Sequence, residues 1–90
     1  MSTQKNIVTL YTTTVCPFCV MAKRFLTQKN IEHEEIDVST DFELRDKISK
    51  ENGGFRTVPM ILVGDTFVGG YNEMMELVRT GEFDKLILGE

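Results

Sequence analysis

Cys16 and Cys19 stand three positions apart in the segment Cys16-Pro17-Phe18-Cys19, and they are the only cysteines in a chain of 90 residues. Thiols at this spacing can exchange disulfides with a second molecule or supply half of a metal site. A disulfide between them closes so short a loop that it restrains the unfolded chain little, so a stapling role fits poorly. Zinc wants four ligands, and the one histidine, His33, lies well beyond the cysteine segment. No metal ligand is therefore expected, and His33 reads as a solvated loop residue. A redox couple working in a reducing compartment remains.

The residues around the pair supply a reason for reactivity. If the loop Thr13-Thr14-Val15 leads into a helix, Cys16 sits near the N-cap and Pro17 at the first helical position, where a missing N–H costs nothing. Unpaired backbone N–H groups and the positive end of the helix dipole then favour a thiolate at Cys16. Cys19, one turn later, is deeper in the helix and less well supplied with free donors. The expected order of events is attack by Cys16 on a substrate disulfide, a mixed disulfide, and release of product when Cys19 attacks Cys16. Two buried, inert thiols are the bland alternative, and a proline between cysteines at a strand-to-helix junction argues against it.

The elements that must hold this segment can be read from apolar spacing. Ile7 to Thr12 is β-branched and aromatic, which suits a buried strand. From Pro17 to about Lys29, Phe18, Ala22, Phe25 and Leu26 recur at helical spacing opposite Lys23, Arg24, Gln28 and Lys29. Glu35 to Val38 predicts a second strand. Ser39 or Thr40 is the expected N-cap of a charged helix carrying Phe42, Leu44, Arg45 and Ile48, ended by Gly53-Gly54. Val58 to Val63 predicts a third strand, paired across Gly64-Asp65 with Thr66-Phe67-Val68 and closed by Gly69-Gly70. A helical region follows with Met74, Leu77 and Val78, then a further turn after Gly81 with Phe83, Leu86 and Ile87. The order β-α-β-α-β-β-α predicts an α/β fold, a four-stranded mixed sheet flanked by helices whose first two strands run parallel. Met60, Met74 and Met75 have apolar neighbours at strand or helix spacing and read as core filler.

Composition narrows the function classes. Apolar residues at 41% and charged residues at 27% are ordinary for a globular chain, and one domain over residues 1–90, its core between about 6 and 88, is the simplest partition. A net charge of −4 offers no uniform basic field for nucleic acid. The run Met1 to Asn6 is polar, and no stretch approaches the roughly 18 apolar residues of a membrane helix. A cytoplasmic monomer is the expectation.

The element order, Cys16-Pro17-Phe18-Cys19, Thr57-Val58-Pro59 and Gly69-Gly70 together resemble a dithiol glutaredoxin over nearly the whole chain. The resemblance implies the thioredoxin-like fold and glutathione-dependent reduction of protein disulfides and protein–glutathione mixed disulfides. Cys16 and Cys19 would be catalytic, with glutathione as co-substrate and disulfide-containing or glutathionylated proteins as partners. It further implies a cis Pro59, a backbone contact from Val58 to a bound peptide-like thiol, and a γ-glutamyl site at Gly70, Asn72 and the backbone from Tyr71 to Glu73, with Phe18 as an aromatic wall. Arg56, just before Thr57, is in reach of a ligand carboxylate.

Three positions depart from the family pattern. Thr13 stands where many dithiol members place a lysine, Phe18 replaces the usual tyrosine, and Asn72 replaces an acid. Missing its cation at Thr13, the site should grip the glycine-end carboxylate of glutathione less firmly unless Lys23 or Arg56 compensates. Two further readings stay open on the family's behaviour. One is an electron donor fed by a thioredoxin-type reductase and serving a partner such as ribonucleotide reductase; the other is an iron-sulfur cluster carrier, against which Pro17 and Cys19 argue.

Overall fold

The computed structural model describes residues 4–90; Met1, Ser2 and Thr3, the start of the polar N-terminal run, lie outside the described residues. Four strands and four helices follow in the order β1 (Val8–Thr12), α1 (Pro17–Gln28), β2 (His33–Asp37), α2 (Phe42–Glu51), β3 (Met60–Val63), β4 (Thr66–Gly69), α3 (Tyr71–Thr80) and α4 (Glu82–Leu88). The sheet order is β2-β1-β3-β4. β1 and β2 are parallel, as a helical crossover between them requires, and β3 lies antiparallel to both β1 and β4.

The core forms where the apolar alternation of the central strands meets the helices. Val8, Leu10, Ile61 and Val63 share one buried cluster with Ala22 and Leu26 of α1, Met74 of α3, and Phe83 and Ile87 of α4. Each large side chain so buried contributes about 1.5–3 kcal/mol. Alternation turns Met60 to the opposite face from Ile61. Met60 and Ile48, the buried residue of α2, stand outside the main cluster. Met60 and Met74 are buried and Met75 packs against the core, as their apolar neighbours predicted.

Several boundaries differ from the sequence expectation, each for a local reason. β2 begins at His33, two residues early, so His33 is a half-buried strand residue whose Nδ1 lies 2.8 Å from the Ile31 carbonyl oxygen. The α2 cap is Asp41, whose Oδ1 accepts the Leu44 N–H at 3.1 Å. Ser39 is unavailable for that task, because its hydroxyl accepts the N–H of Thr14 at 2.7 Å. β3 begins at Met60 and not at Val58. Phe18 does not belong to the buried stripe of α1; it is 50% exposed, and Cys19, Ala22 and Leu26 form that stripe instead. The β3–β4 register shifts between Ile61, opposite Gly69, and Leu62, opposite Phe67. This bulge sets Gly69 at φ 117°, a conformation that favours glycine, and directs the chain into α3.

Candidate active site

Cys16 occupies the N-cap of α1 with extended backbone (φ −151°, ψ 101°), and Pro17 opens the helix behind it. The Cys16 sulfur accepts the Cys19 backbone N–H at 3.2 Å, taking the place of the oxygen that serine or aspartate would present to an orphan donor. Both cysteines are free thiols, Cys16 half-buried and Cys19 only 1% exposed. Burial, then the hydrogen bond with Cys16, push the Cys19 thiol up to about 12, with the charges of Cys16 and Glu35 acting the same way; a hydrogen bond from the Thr13 backbone opposes them. The two sulfurs thus have different environments: one faces outward at a helix start, the other is kept protonated beneath it.

The loop ahead of Cys16 is tied to the end of β2. Besides the Thr14–Ser39 bond, the Thr14 hydroxyl donates to Asp37 at 3.2 Å, and Asp37 accepts the Ser39 N–H at 2.8 Å. The Ser39 hydrogen bonds hold the Asp37 carboxyl below its ordinary range. Under α1, Lys23 Nζ lies 2.9 Å from Glu35 Oε2, which also accepts the buried Thr12 hydroxyl at 2.7 Å. Lys23 first, then Thr12, pull the Glu35 carboxyl below its usual value. The pair is about one-third exposed on each side and contributes at most about 1 kcal/mol to stability. Lys23 is therefore committed to Glu35 and is not a free substitute for a cation at Thr13.

Across from Cys16, the Val58–Pro59 peptide is cis, as the resemblance implied, and the Val58 carbonyl oxygen lies 3.7 Å from the Cys16 sulfur. A groove of about 320 Å³ opens beside it, lined by Phe18, Phe55, Thr57, Val58, Pro59 and the segment Gly70 to Glu73. Phe18 and Tyr71 face each other with ring centroids 5.9 Å apart. The structure brings together eight of the ten sequence-predicted site residues at this end of the sheet: Cys16 beside Val58, and Phe18, Thr57, Val58, Pro59, Gly70, Tyr71 and Asn72 along the groove. Cys19 lies beneath, and Arg56 lines an adjoining groove of about 440 Å³ with Phe42, Arg45 and Lys50.

Phe55 lines both grooves and packs edge-on against Phe67 at 5.3 Å, so it forms the wall between them. Sequence reasoning passed over Phe55 and Arg45, and took from Glu73 only its backbone. Glu73 Oε1 accepts the Gly70 N–H at 2.8 Å, capping the start of α3 and placing a carboxylate beside Asn72 in the lining of the groove. Arg45 Nη2 approaches the Arg56 carbonyl oxygen at 3.5 Å, fastening α2 to the loop before Thr57 and setting two guanidinium groups on one groove. An i,i+3 acid after a glycine pair was a legible cap signal for Glu73; Arg45 had none, since its partner is 11 residues away.

A model of the glutaredoxin family matches residues 8–68, a span that includes the cysteine segment and the cis proline. The chain belongs to the glutaredoxin family. Glutaredoxin 1 of Rickettsia felis is 39% identical over 86 residues, covering 94% of this chain and 84% of its own length. The glutaredoxin of Pseudomonas aeruginosa is 39% identical over 80 residues, covering 89% of this chain and 94% of that one. Among solved structures, the glutaredoxin from Brucella melitensis superposes with a TM-score of 0.80 at 34% identity over 99% of this chain and 96% of its own. A buckwheat glutaredoxin solved as a glutathione complex shares the fold, with a TM-score of 0.85 at 21% identity over 97% of this chain and 81% of that one. This glutaredoxin is a thiol-disulfide oxidoreductase with the thioredoxin-like fold. Among the described residues, no helix is long and apolar enough to cross a membrane.

Proposed function

We propose that the chain is a glutathione-dependent reductase of protein disulfides and protein–glutathione mixed disulfides, working as one domain through Cys16-Pro17-Phe18-Cys19. The observation that carries this reading is the place of the Cys16 sulfur: at a helix N-cap, bonded to the Cys19 N–H at 3.2 Å, and at the mouth of the groove beside Val58. Cys16 attacks the incoming disulfide and forms a mixed disulfide. Its resolution by Cys19 reduces a protein disulfide, whereas attack by glutathione completes the reduction of a glutathionylated protein and needs only Cys16.

Glutathione fits the groove chemically. Its γ-glutamyl carboxylate meets the backbone N–H groups of Tyr71 and Asn72 at the start of α3, where the helix dipole favours negative charge. Its peptide portion lies along Thr57 and Val58, against the Phe18 and Tyr71 rings. Glu73 supplies the carboxylate that Asn72 lacks for the ligand's ammonium, and Arg56 with Arg45 supplies the cations that Thr13 lacks for the glycine-end carboxylate. The glutathione held by the buckwheat protein of the same fold supports this reading. A lone Cys-x-x-Cys pair whose disulfide is transient and catalytic suits a reducing cytoplasm, where the chain acts as a monomer.

The test is glutathione-coupled reduction of a small mixed disulfide by the wild type, Cys16→Ser and Cys19→Ser, with thioredoxin reductase as the alternative electron source. Activity that needs glutathione and Cys16 and survives loss of Cys19 is expected. Turnover with the reductase alone would replace this reading with that of an electron donor, and the missing cation at Thr13 would be the reason.

A further inference from the structure

We infer that the Lys23–Glu35 pair governs how readily Cys19 gives up its proton, and through it how this enzyme divides turnover between the two-thiol and one-thiol routes. The inference rests on the assignment of Cys16 as attacking and Cys19 as resolving sulfur. Glu35 pairs in register with Leu10, which is fully buried among the α1 side chains, so the carboxylate stands on the α1 face of the sheet. Lys23 follows Cys19 by one helical turn on that same face. Thr12, whose hydroxyl is bonded to Glu35, immediately precedes Thr13, whose backbone is bonded to Cys19. Thiol, ammonium and carboxylate therefore share one wall of the molecule.

In the resolving step the Cys19 S–H bond breaks and its proton leaves to solvent. The freed electron pair forms the Cys19–Cys16 bond, the bond from Cys16 to the substrate sulfur breaks, and the departing thiolate takes up a proton. No outside oxidant enters. Two of the influences that keep Cys19 protonated come from Cys16 itself, as hydrogen-bond partner and as charge. Both end once Cys16 is bonded to substrate. Burial then remains, together with the negative charge of Glu35, which Lys23 partly neutralises.

The charged groups that act on Cys19 are Cys16 at the N-cap of α1 and Glu35 on β2, and Lys23 on α1 and Asp37 on β2 act in turn on Glu35; Thr12 of β1, Thr13 in the loop after it and the Val58 carbonyl before β3 carry no charge. Glu35 acts as a brake on Cys19 and Lys23 as the release of that brake. Both are positioning residues, acting through the thiol.

The test is titration of Cys19 by thiolate ultraviolet absorbance in a Cys16→Ser background, which removes the Cys16 thiol as substrate would. Glu35→Gln should raise the thiolate fraction at a given pH by about threefold, and Lys23→Met should lower it by a similar factor. In the two-cysteine protein, reduction of a protein disulfide should follow the same order, while reduction of a small glutathione mixed disulfide changes less than about twofold. Shifts of the same sign in both variants, which mere loosening of the helix would produce, overturn the inference, as does no shift in either. Opposite shifts in a protein that glutathione fails to reduce would sink the proposed function and leave the inference standing.

Discussion

The sulfur of Cys16 lies 3.7 Å from the carbonyl oxygen of Val58, a residue 42 positions further along the chain. This contact joins the start of α1 to the loop before β3 and makes one side of a groove from two segments that share no local sequence. It also leaves Cys16 open at the groove mouth while Cys19 turns inward.

That asymmetry fixes the order of alkylation. Iodoacetamide given to the reduced protein at neutral pH should label Cys16 at least about tenfold faster than Cys19, because Cys19 is buried and its thiol is pushed up to about 12. Peptide mapping by mass spectrometry reads the ratio. Equal labelling would mean that the α1 start does not separate the two thiols.

Gly69 is a position where the backbone itself demands glycine. Its φ is 117°, and an added Cβ would lie 3.0 Å from both Cβ and Cγ of Glu73. Gly69→Ala should cost about 2–4 kcal/mol, against about 1 kcal/mol for Gly53→Ala, where φ is also positive and nothing lies within 4 Å. Urea unfolding of the two variants measures the difference, and equal costs would contradict the role of the bulge.

The cation pair on the second groove should act on binding more than on chemistry. Arg56→Ala is expected to raise KM for a glutathionylated substrate by about three- to tenfold, with kcat changed less than about twofold, because an exposed charge pair to a carboxylate acts equally in ground and transition states. Arg45→Ala should move in the same direction through its contact with the Arg56 carbonyl. A fall in kcat with KM unchanged would place these residues elsewhere in the reaction.

Stability should decline at both ends of the pH range through two identifiable groups. The Cys19 thiol ionises at about 9 ordinarily and about 12 in the fold, so the unfolded chain releases its proton first. The reduced protein therefore loses stability as pH rises above about 9, and Cys19→Ser should flatten that limb. Glu35 has the opposite sign: its folded value lies below 4.5, so its contribution is present above pH 4.5 and is lost as pH falls through the folded value. Glu35→Gln should remove that part of the acid loss. Urea midpoints across a pH series check both limbs.

Most of the architecture follows from chain-local signals. The period-2 and helical apolar patterns, the two-residue Gly64-Asp65 turn and Pro17 behind Cys16 are each written within a few residues, and they specified the strands, the helices and the half of the site that lies on α1. Other features depended on partners distant in sequence. Ser39 had the composition of a helix cap, yet Thr14 claims its hydroxyl across 25 residues and the task passes to Asp41. Phe18 had the spacing of a core residue, but the groove beside Val58 leaves it exposed against Tyr71. Lys23 looked available as a cation until β2 brought Glu35 to 2.9 Å. Local pattern determines which backbone each segment adopts, because that choice is made by neighbours within one turn or one pleat. Which side chains are left free to do chemistry is decided only when the sheet closes, since burial, ion pairing and hydrogen bonding are settled by whatever the fold places opposite.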